Sequence, residues 1–342
     1  MITKISRRLL IGLSFIICHL SFSVVLTSCK NGDIEFPDFD YQTVYFARQT
    51  PVRTITLGDD EVASTELDNA HRCQIYATMG GVNKNKKDRT IQITIDETLC
   101  SGLKFEDGSS VTPMPRNYYS LSGNTITIAS GDIMGCVDVQ LTDAFFADPL
   151  STKVTYVIPV RMLSANDSVL KGKDYVLYAV KYKNMYHGCW LSKGTDVITT
   201  GTESKTTTRQ PEYWEQADLV YLTTDGLRQS RYQVSTNVTV VNASGKSVVE
   251  TKTCDLVLTF DDNNHVTVTT DTPNCTATGN GQWERQAAKK AWGDKDRDQL
   301  TLQYQVDFSY ISAGTTTITT RQTTETLIMR DRQSKLEDFS VK

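Results

Sequence analysis

CDLVLTF-DDNN-HVTVTT, residues 254–270, decides how this chain folds. Leu256, Leu258 and Phe260 place an apolar side chain at every second position, as do Val266 and Val268 after the break, and period two marks a strand with one buried face. Asp261-Asp262-Asn263-Asn264 is then a hairpin turn, because Asn and Asp enter left-handed backbone cheaply. Outward from this hairpin, Leu219–Leu222, Tyr232–Val241, Gln299–Ser309, Thr315–Arg321 and Thr324–Arg330 also read as strands with short connections. Consecutive hairpins make a meander, and a meander of about eight strands closes into an up-and-down barrel, which removes exposed edges.

The first half alternates as well. Val44/Phe46, Cys73/Ile75/Ala77, Ile91/Ile93/Ile95, Ile126/Ile128, Val137/Val139/Leu141 and Tyr156/Ile158/Val160/Met162 each offer one apolar face, with Gly, Asn, Asp and Pro clusters between them. Many short strands so spaced predict a Greek-key, immunoglobulin-like sandwich. Thr142–Asp148 breaks the pattern and reads as one helical turn, and Pro159 marks an edge or a bulge. With 46 Thr in 342 residues, strand formers dominate throughout. The expected fold is all-β: a sandwich over 38–183, an antiparallel up-and-down barrel over 184–335, and a tail at 336–342.

Lys and Arg number 36 against 40 Asp and Glu, so no basic surface exists to drive nucleic-acid binding. Residues 1–28 have the form of an export signal: Lys4, Arg7 and Arg8, an apolar stretch from Leu9 to Leu26, then small residues. Leu26-Thr27-Ser28-Cys29 resembles the lipobox of bacterial lipoproteins, in which the cysteine is acylated and becomes the first residue. That resemblance implies anchoring of Cys29 in outer-membrane lipid, a polar tether over 29–37, and exposure at the cell surface or the periplasmic face. Of the six cysteines in the body, Cys254 and Cys275 flank a hairpin and are the best candidates for a bridge.

Two further resemblances rest on quoted residues. Gly188-x-Trp190 in the first barrel strand, with Arg330 or Arg332 in the last, resembles the calycin pattern, which implies an arginine packed across the tryptophan at the closed end of a lipocalin-like barrel. Leu57-Gly58-Asp59-Asp60, Pro115-Arg116-Asn117-Tyr118-Tyr119-Ser120-Leu121, Trp292-Gly293-Asp294-Lys295-Asp296-Arg297-Asp298 and Leu327-Ile328-Met329-Arg330-Asp331-Arg332 resemble a family of Bacteroidota surface lipoproteins. Its N-terminal domain of unknown function accompanies starch-utilisation-type glycan uptake, and its partner domain is lipocalin-like. Membership implies a place near glycan capture, beside an importer, and no catalytic residue.

No Gly-x-Ser-x-Gly, His-Glu-x-x-His or phosphate-binding glycine loop occurs, so no cofactor or catalytic motif is expected. A glycosidase needs only two carboxylates, for which Glu212 and Glu215 are the best pair, although both lie in one short segment. Asp294, Asp296 and Asp298 alternate like the start of a calcium loop, but Lys295 and Arg297 interleave with them and Gln299 stands where Gly turns such a loop, so no metal is assigned. Sugar binding asks for flat aromatics beside planar hydrogen-bonding groups. Tyr213 and Trp214 with Glu212, and Trp283 and Trp292 with Arg285, fit that demand in polar, loop-like surroundings. The leading expectation is therefore a non-catalytic protein that binds a polysaccharide or oligosaccharide; a carrier of a small apolar ligand inside the barrel, a glycosidase and an adhesive module are the alternatives.

Overall fold

The computed structural model describes residues 38–39 and 41–342; the export signal, Cys29 and the tether lie outside the described residues. The first half contributes β1 (Thr43–Tyr45), β2 (Pro51–Thr56), β3 (Arg72–Gly80), β4 (Arg89–Ile95), β5 (Thr112–Pro113), β6 (Tyr119–Leu121), β7 (Thr125–Ile128), β8 (Met134–Leu141), β9 (Tyr156–Ala165), β10 (Ser168–Val169) and β11 (Tyr175–Lys183). The second contributes β12 (Gly188–Thr200), β13 (Glu203–Arg209), β14 (Asp218–Gly226), β15 (Gln229–Val241), β16 (Ser247–Phe260), β17 (His265–Thr270), β18 (Cys275–Trp292), β19 (Lys295–Ser312) and β20 (Thr315–Asp331), and β21 (Glu337–Asp338) follows. The protein is all-β.

Two sheets, in the orders β10-β1-β3-β8-β6 and β21-β2-β11-β9-β4-β7, face each other across a core that includes Phe46, Ile75, Ile91, Val139, Phe145, Ile158 and Tyr182. The alternating residues of the sequence supply both inner faces. Asp143–Ala147 forms the helical turn expected there and buries Phe145 and Phe146, and a second short helix spans Glu66–Asn69. Pro159 departs from expectation, because β9 lies between β11 and β4 rather than at an edge. β4 ends opposite Val160, and beyond that point the Pro159 carbonyl accepts from Asp96 N at 2.9 Å, so the ring nitrogen faces no ladder partner. The chain's last segment is an edge strand of this half: β21 pairs with β2, and Phe339 packs edge-on against Phe105.

β12 to β20 form a second sheet whose first and last strands pair from Cys189↔Asp331 to Thr200↔Thr319, which closes the barrel. The Asp261–Asn264 turn forms, with Asp261 Oδ1 accepting from Asn263 N and His265 N at 2.8 Å each, and Asn264 at φ 62°. A Cβ at Gly188 would stand 2.5 Å from the Asp331 carbonyl oxygen, so glycine is what lets the last strand reach the first. β13 and β14 both pair with β12, Arg209 opposite Gly194 and Asp218 opposite Ser192; they are one interrupted strand from which 210–217 loops out.

The interior is packed. At the end nearest the sandwich, Trp190, Leu222, Leu258, Phe260, Trp283, Leu300 and Leu327 fill it. Farther along, Glu325 accepts from Ser192 Oγ at 2.7 Å, Arg209 at 3.1 Å and Tyr304 at 3.0 Å. Asp196 accepts from Arg209 at 2.8 Å, Arg321 at 2.9 Å and Thr323 at 2.8 Å. Burial alone would raise the Asp196 carboxyl, but Arg209, Arg321 and Thr323 together hold it below the usual range. Removing one member of such a network strands a buried charge, at about 3–5 kcal/mol. A carrier of an apolar ligand needs this volume empty; here charged and apolar side chains occupy it.

Candidate functional site

β18 is a strand that sequence reasoning missed, and it separates the aromatic candidates. Gly279 faces inward where a Cβ would meet the Gln303 carbonyl at 2.5 Å, and left-handed Gln286 and Lys290 mark bulges, so the apolar alternation is diluted. Trp283, expected in a loop, points into the barrel at 4% exposure and meets Tyr186 edge-on. It is core, not a ligand platform. Arg285 is on the surface but turned toward the sandwich, where it donates to Asp59 at 2.6 Å and 2.8 Å.

The remaining candidates converge on the outer wall. Trp214 begins a short turn (Trp214–Gln216) in the excursion between β13 and β14. It packs with Trp292, Ala288 and Ala291 over Leu191 of β12, Ile328 of β20 and Ala217. Lys193 Nζ stands 4.5 Å from the Trp214 ring centre and donates to Pro211 O at 2.7 Å and Glu212 O at 3.4 Å, so one cation fixes both ring and loop. The Arg330 guanidinium stands 5.7 Å from the Trp292 ring centre. That corrects its expected place: Arg330 is on the opposite face of β20 from Met329, which pairs with Trp190, and so does not cross Trp190. Trp190 is fully buried and donates to Tyr186 O at 3.1 Å. Arg332, the other arginine of the pattern, is buried and donates to Asn184 O at 2.6 Å and Leu57 O at 2.9 Å.

Tyr213, Leu219 and Tyr221 widen the patch, at 56%, 47% and 49% exposure. Leu219 and Tyr221 lie opposite Leu191 and Cys189 in register. The sequence held that signal, because Leu222 faces inward and parity then turns Leu219 and Tyr221 outward. Lys193 carried no such mark. Glu212 and Glu215 are both exposed on the excursion, without the opposed placement a glycosidase requires. Asp296 takes Lys289 at 2.9 Å, Asp298 takes Gln286 N at 2.9 Å, and Asp294 sits in the turn; among the described residues no group of three acidic, His or Cys side chains could hold a metal ion.

The same wall continues as a groove of about 470 Å3. Two cross-strand rows line it, Val197–Gln322–Gln305–Thr278 and Thr195–Thr324–Gln303–Asn280, running over β12, β20, β19 and β18. Gln322 Nε2 donates to Gln305 Oε1 at 3.0 Å. Lys193 and Thr326 form the row between groove and aromatic patch. A separate cleft of about 420 Å3 opens on the side of the sandwich, lined by Arg53, Cys73, Ile75, Tyr76, Met134 and Tyr178 among others.

A family model described as Domain of unknown function (DUF5627) matches residues 185–333, and a second, described as an N-terminal domain, matches 39–169. The chain is similar to a Bacteroides ovatus protein of unknown function, with 33% identity over 89% of this chain and 99% of that one, at a TM-score of 0.76. A second Bacteroides ovatus protein of unknown function shares 14% identity over 88% of this chain and 100% of that one, at a TM-score of 0.43. A Bacteroides thetaiotaomicron protein described as an auxiliary nutrient binding protein shares 15% over 84% and 95%, at 0.37. No curated protein matches the chain.

Proposed function

The chain belongs to the family of that first Bacteroides ovatus protein, in which an N-terminal domain precedes a DUF5627 domain, and from this premise we propose that it is a non-catalytic glycan-binding protein whose site is the outer wall of the barrel. One observation carries the reading: a half-buried aromatic patch and a groove of amide and hydroxyl side chains lie end to end on β12 and β20. A sugar ring presents an apolar C–H face and a rim of hydroxyls, and these two surfaces answer the two demands. Lys193 and Arg330 add donors beside the rings, and Glu212 and Glu215 add acceptors. A strip of this length suits an oligosaccharide better than a single sugar.

Cys29, acylated at the end of the export signal, would anchor the protein in outer-membrane lipid and hold the barrel near a glycan importer at the cell surface. Fatty-acid labelling that disappears in Cys29→Ala tests the anchor; an unlabelled wild type refutes it.

Affinity electrophoresis through gels containing a panel of polysaccharides tests the site. At least one polysaccharide retards the wild type, and Trp214→Ala and Trp292→Ala weaken retention about tenfold, roughly 1.4 kcal/mol. Gln322→Ala, on an exposed strand face, reduces it without touching the packed rings. No retardation on any gel, or retention unchanged in all three variants, contradicts the proposal.

A further inference from the structure

The turn after β17 brings two thiols together on the barrel wall. Cys254, on β16, is fully buried and faces inward, with its Sγ 3.2 Å from Thr270 Oγ1. The ladder alone would keep Cys275 a strand away, since Leu256 pairs with Thr270 and Val268 with Gly279. β17 stops at Thr270, however, and the chain folds under: Thr272 Oγ1 accepts from Asp255 N at 2.9 Å, and Thr272 O accepts from Cys275 N at 3.2 Å. Asn274, at φ 61°, completes the reversal. Cys275 therefore lands against β16, its Sγ 3.8 Å from the carbonyl oxygen of Thr253, the residue next to Cys254, and near enough to the Cys254 thiol for the two to interact electrostatically.

We propose that Cys254 and Cys275 are a redox pair that closes to an intramolecular disulfide by exchange with an organic disulfide, pinning β16 to the start of β18. Exposure sets the order of the steps. Cys275 is partly exposed and opens on a groove of about 480 Å3 that Lys252, Pro273 and Tyr310 also line, whereas Cys254 has no access to solvent. The Cys275 thiolate attacks one sulfur of the donor and the other leaves as a thiolate. Cys254, deprotonated, then attacks the Cys275 sulfur of the mixed disulfide and expels the second donor thiolate. Two protein thiols are oxidised, one donor disulfide is reduced to two thiols, and the protons released by the protein are taken up by the departing thiolates. Burial and the adjacent Cys254 push the Cys275 thiol up to about 12, so the first step is slow at neutral pH.

The test exposes the reduced full-length chain to oxidised glutathione at mildly alkaline pH, alkylates the remaining thiols and maps the peptides. The wild type is expected to show a Cys254–Cys275 cross-link, with Cys73, Cys100, Cys136 and Cys189 alkylated. Cys254→Ser is expected to halt at a glutathione adduct on Cys275, and Cys275→Ser to form neither adduct nor bridge. Alkylation of both Cys254 and Cys275 in the treated wild type, a persistent glutathione adduct there, or a bridge to any other cysteine overturns the proposal. The wild-type map decides even where a variant fails to fold.

Discussion

His187 stands at the joint between sandwich and barrel, and its imidazole is neutral by construction. Its Nδ1 accepts from Thr224 N at 3.1 Å, while burial first, then the nearby Lys183, Arg332 and Lys181, lower its pKa to about 3. An unfolded chain protonates the same ring near pH 6.5. Between pH 6.5 and about 3 the unfolded state therefore binds the extra proton, and stability falls as the solution is acidified through that window. The slope is at most about 1.4 kcal/mol per pH unit. Urea unfolding across this range should show His187→Gln flatter than wild type by up to one proton; parallel curves would mean that His187 titrates alike in both states. His187 was legible in sequence only as a histidine beside a strand, because its burial, the largest cause, and the approach of Arg332 both arise from tertiary packing. Gly188 beside it was legible as part of a motif, and the structure supplies its reason in the approach of Asp331.

At the scale of elements, what the sequence displayed was alternation, and alternation located β3, β4, β7, β8, β9, β16 and β17, though not β2. It failed for β18, whose inward positions are Cys275, Ala277, Gly279 and Gly281 before Trp283, too small to register as a face. That failure moved Trp283 out of the core and onto a notional surface. It failed also for β13, a Thr-rich and largely exposed strand. The excursion at 210–217 was read correctly as aromatic and polar, but its partner wall was not, since Lys193, Ile328 and Trp292 are distant in sequence. Because Arg209 and Asp218 flank the position opposite Lys193, joining them through one residue should restore an uninterrupted strand. A chain with 211–217 removed is expected to keep the far-ultraviolet circular dichroism of the wild type while losing most polysaccharide retention. Undiminished retention would place the site elsewhere.

At the scale of the molecule, three of the four stretches that carry the family likeness, all but Pro115–Leu121, turn out to join the halves. The Leu57–Val62 loop of the sandwich meets the β18–β19 hairpin and the end of β20: Asp59 holds Arg285, Glu61 holds Lys295 and Arg297, Asp60 holds Ser334, and the Leu57 and Asp59 carbonyls accept from Arg332. The connection between domains is buried as well, with Asn184 bonded to Gly226 O and Gln229 O, and Tyr186 stacked on Phe260 at 3.5 Å between ring centres. β21 and Phe339 then strap the chain's end to the sandwich. Arg285, first read as a sugar contact, belongs to this joint. A pair of bodies so fastened presents the barrel wall in a fixed direction relative to the sandwich. Hydrogen–deuterium exchange with and without the retained polysaccharide tests the account most directly. Protection confined to 210–221, 286–292 and the groove strands around Gln303 and Gln322 is the predicted result; protection at residues 73–78, beside the sandwich cleft, with none on the barrel wall would contradict it.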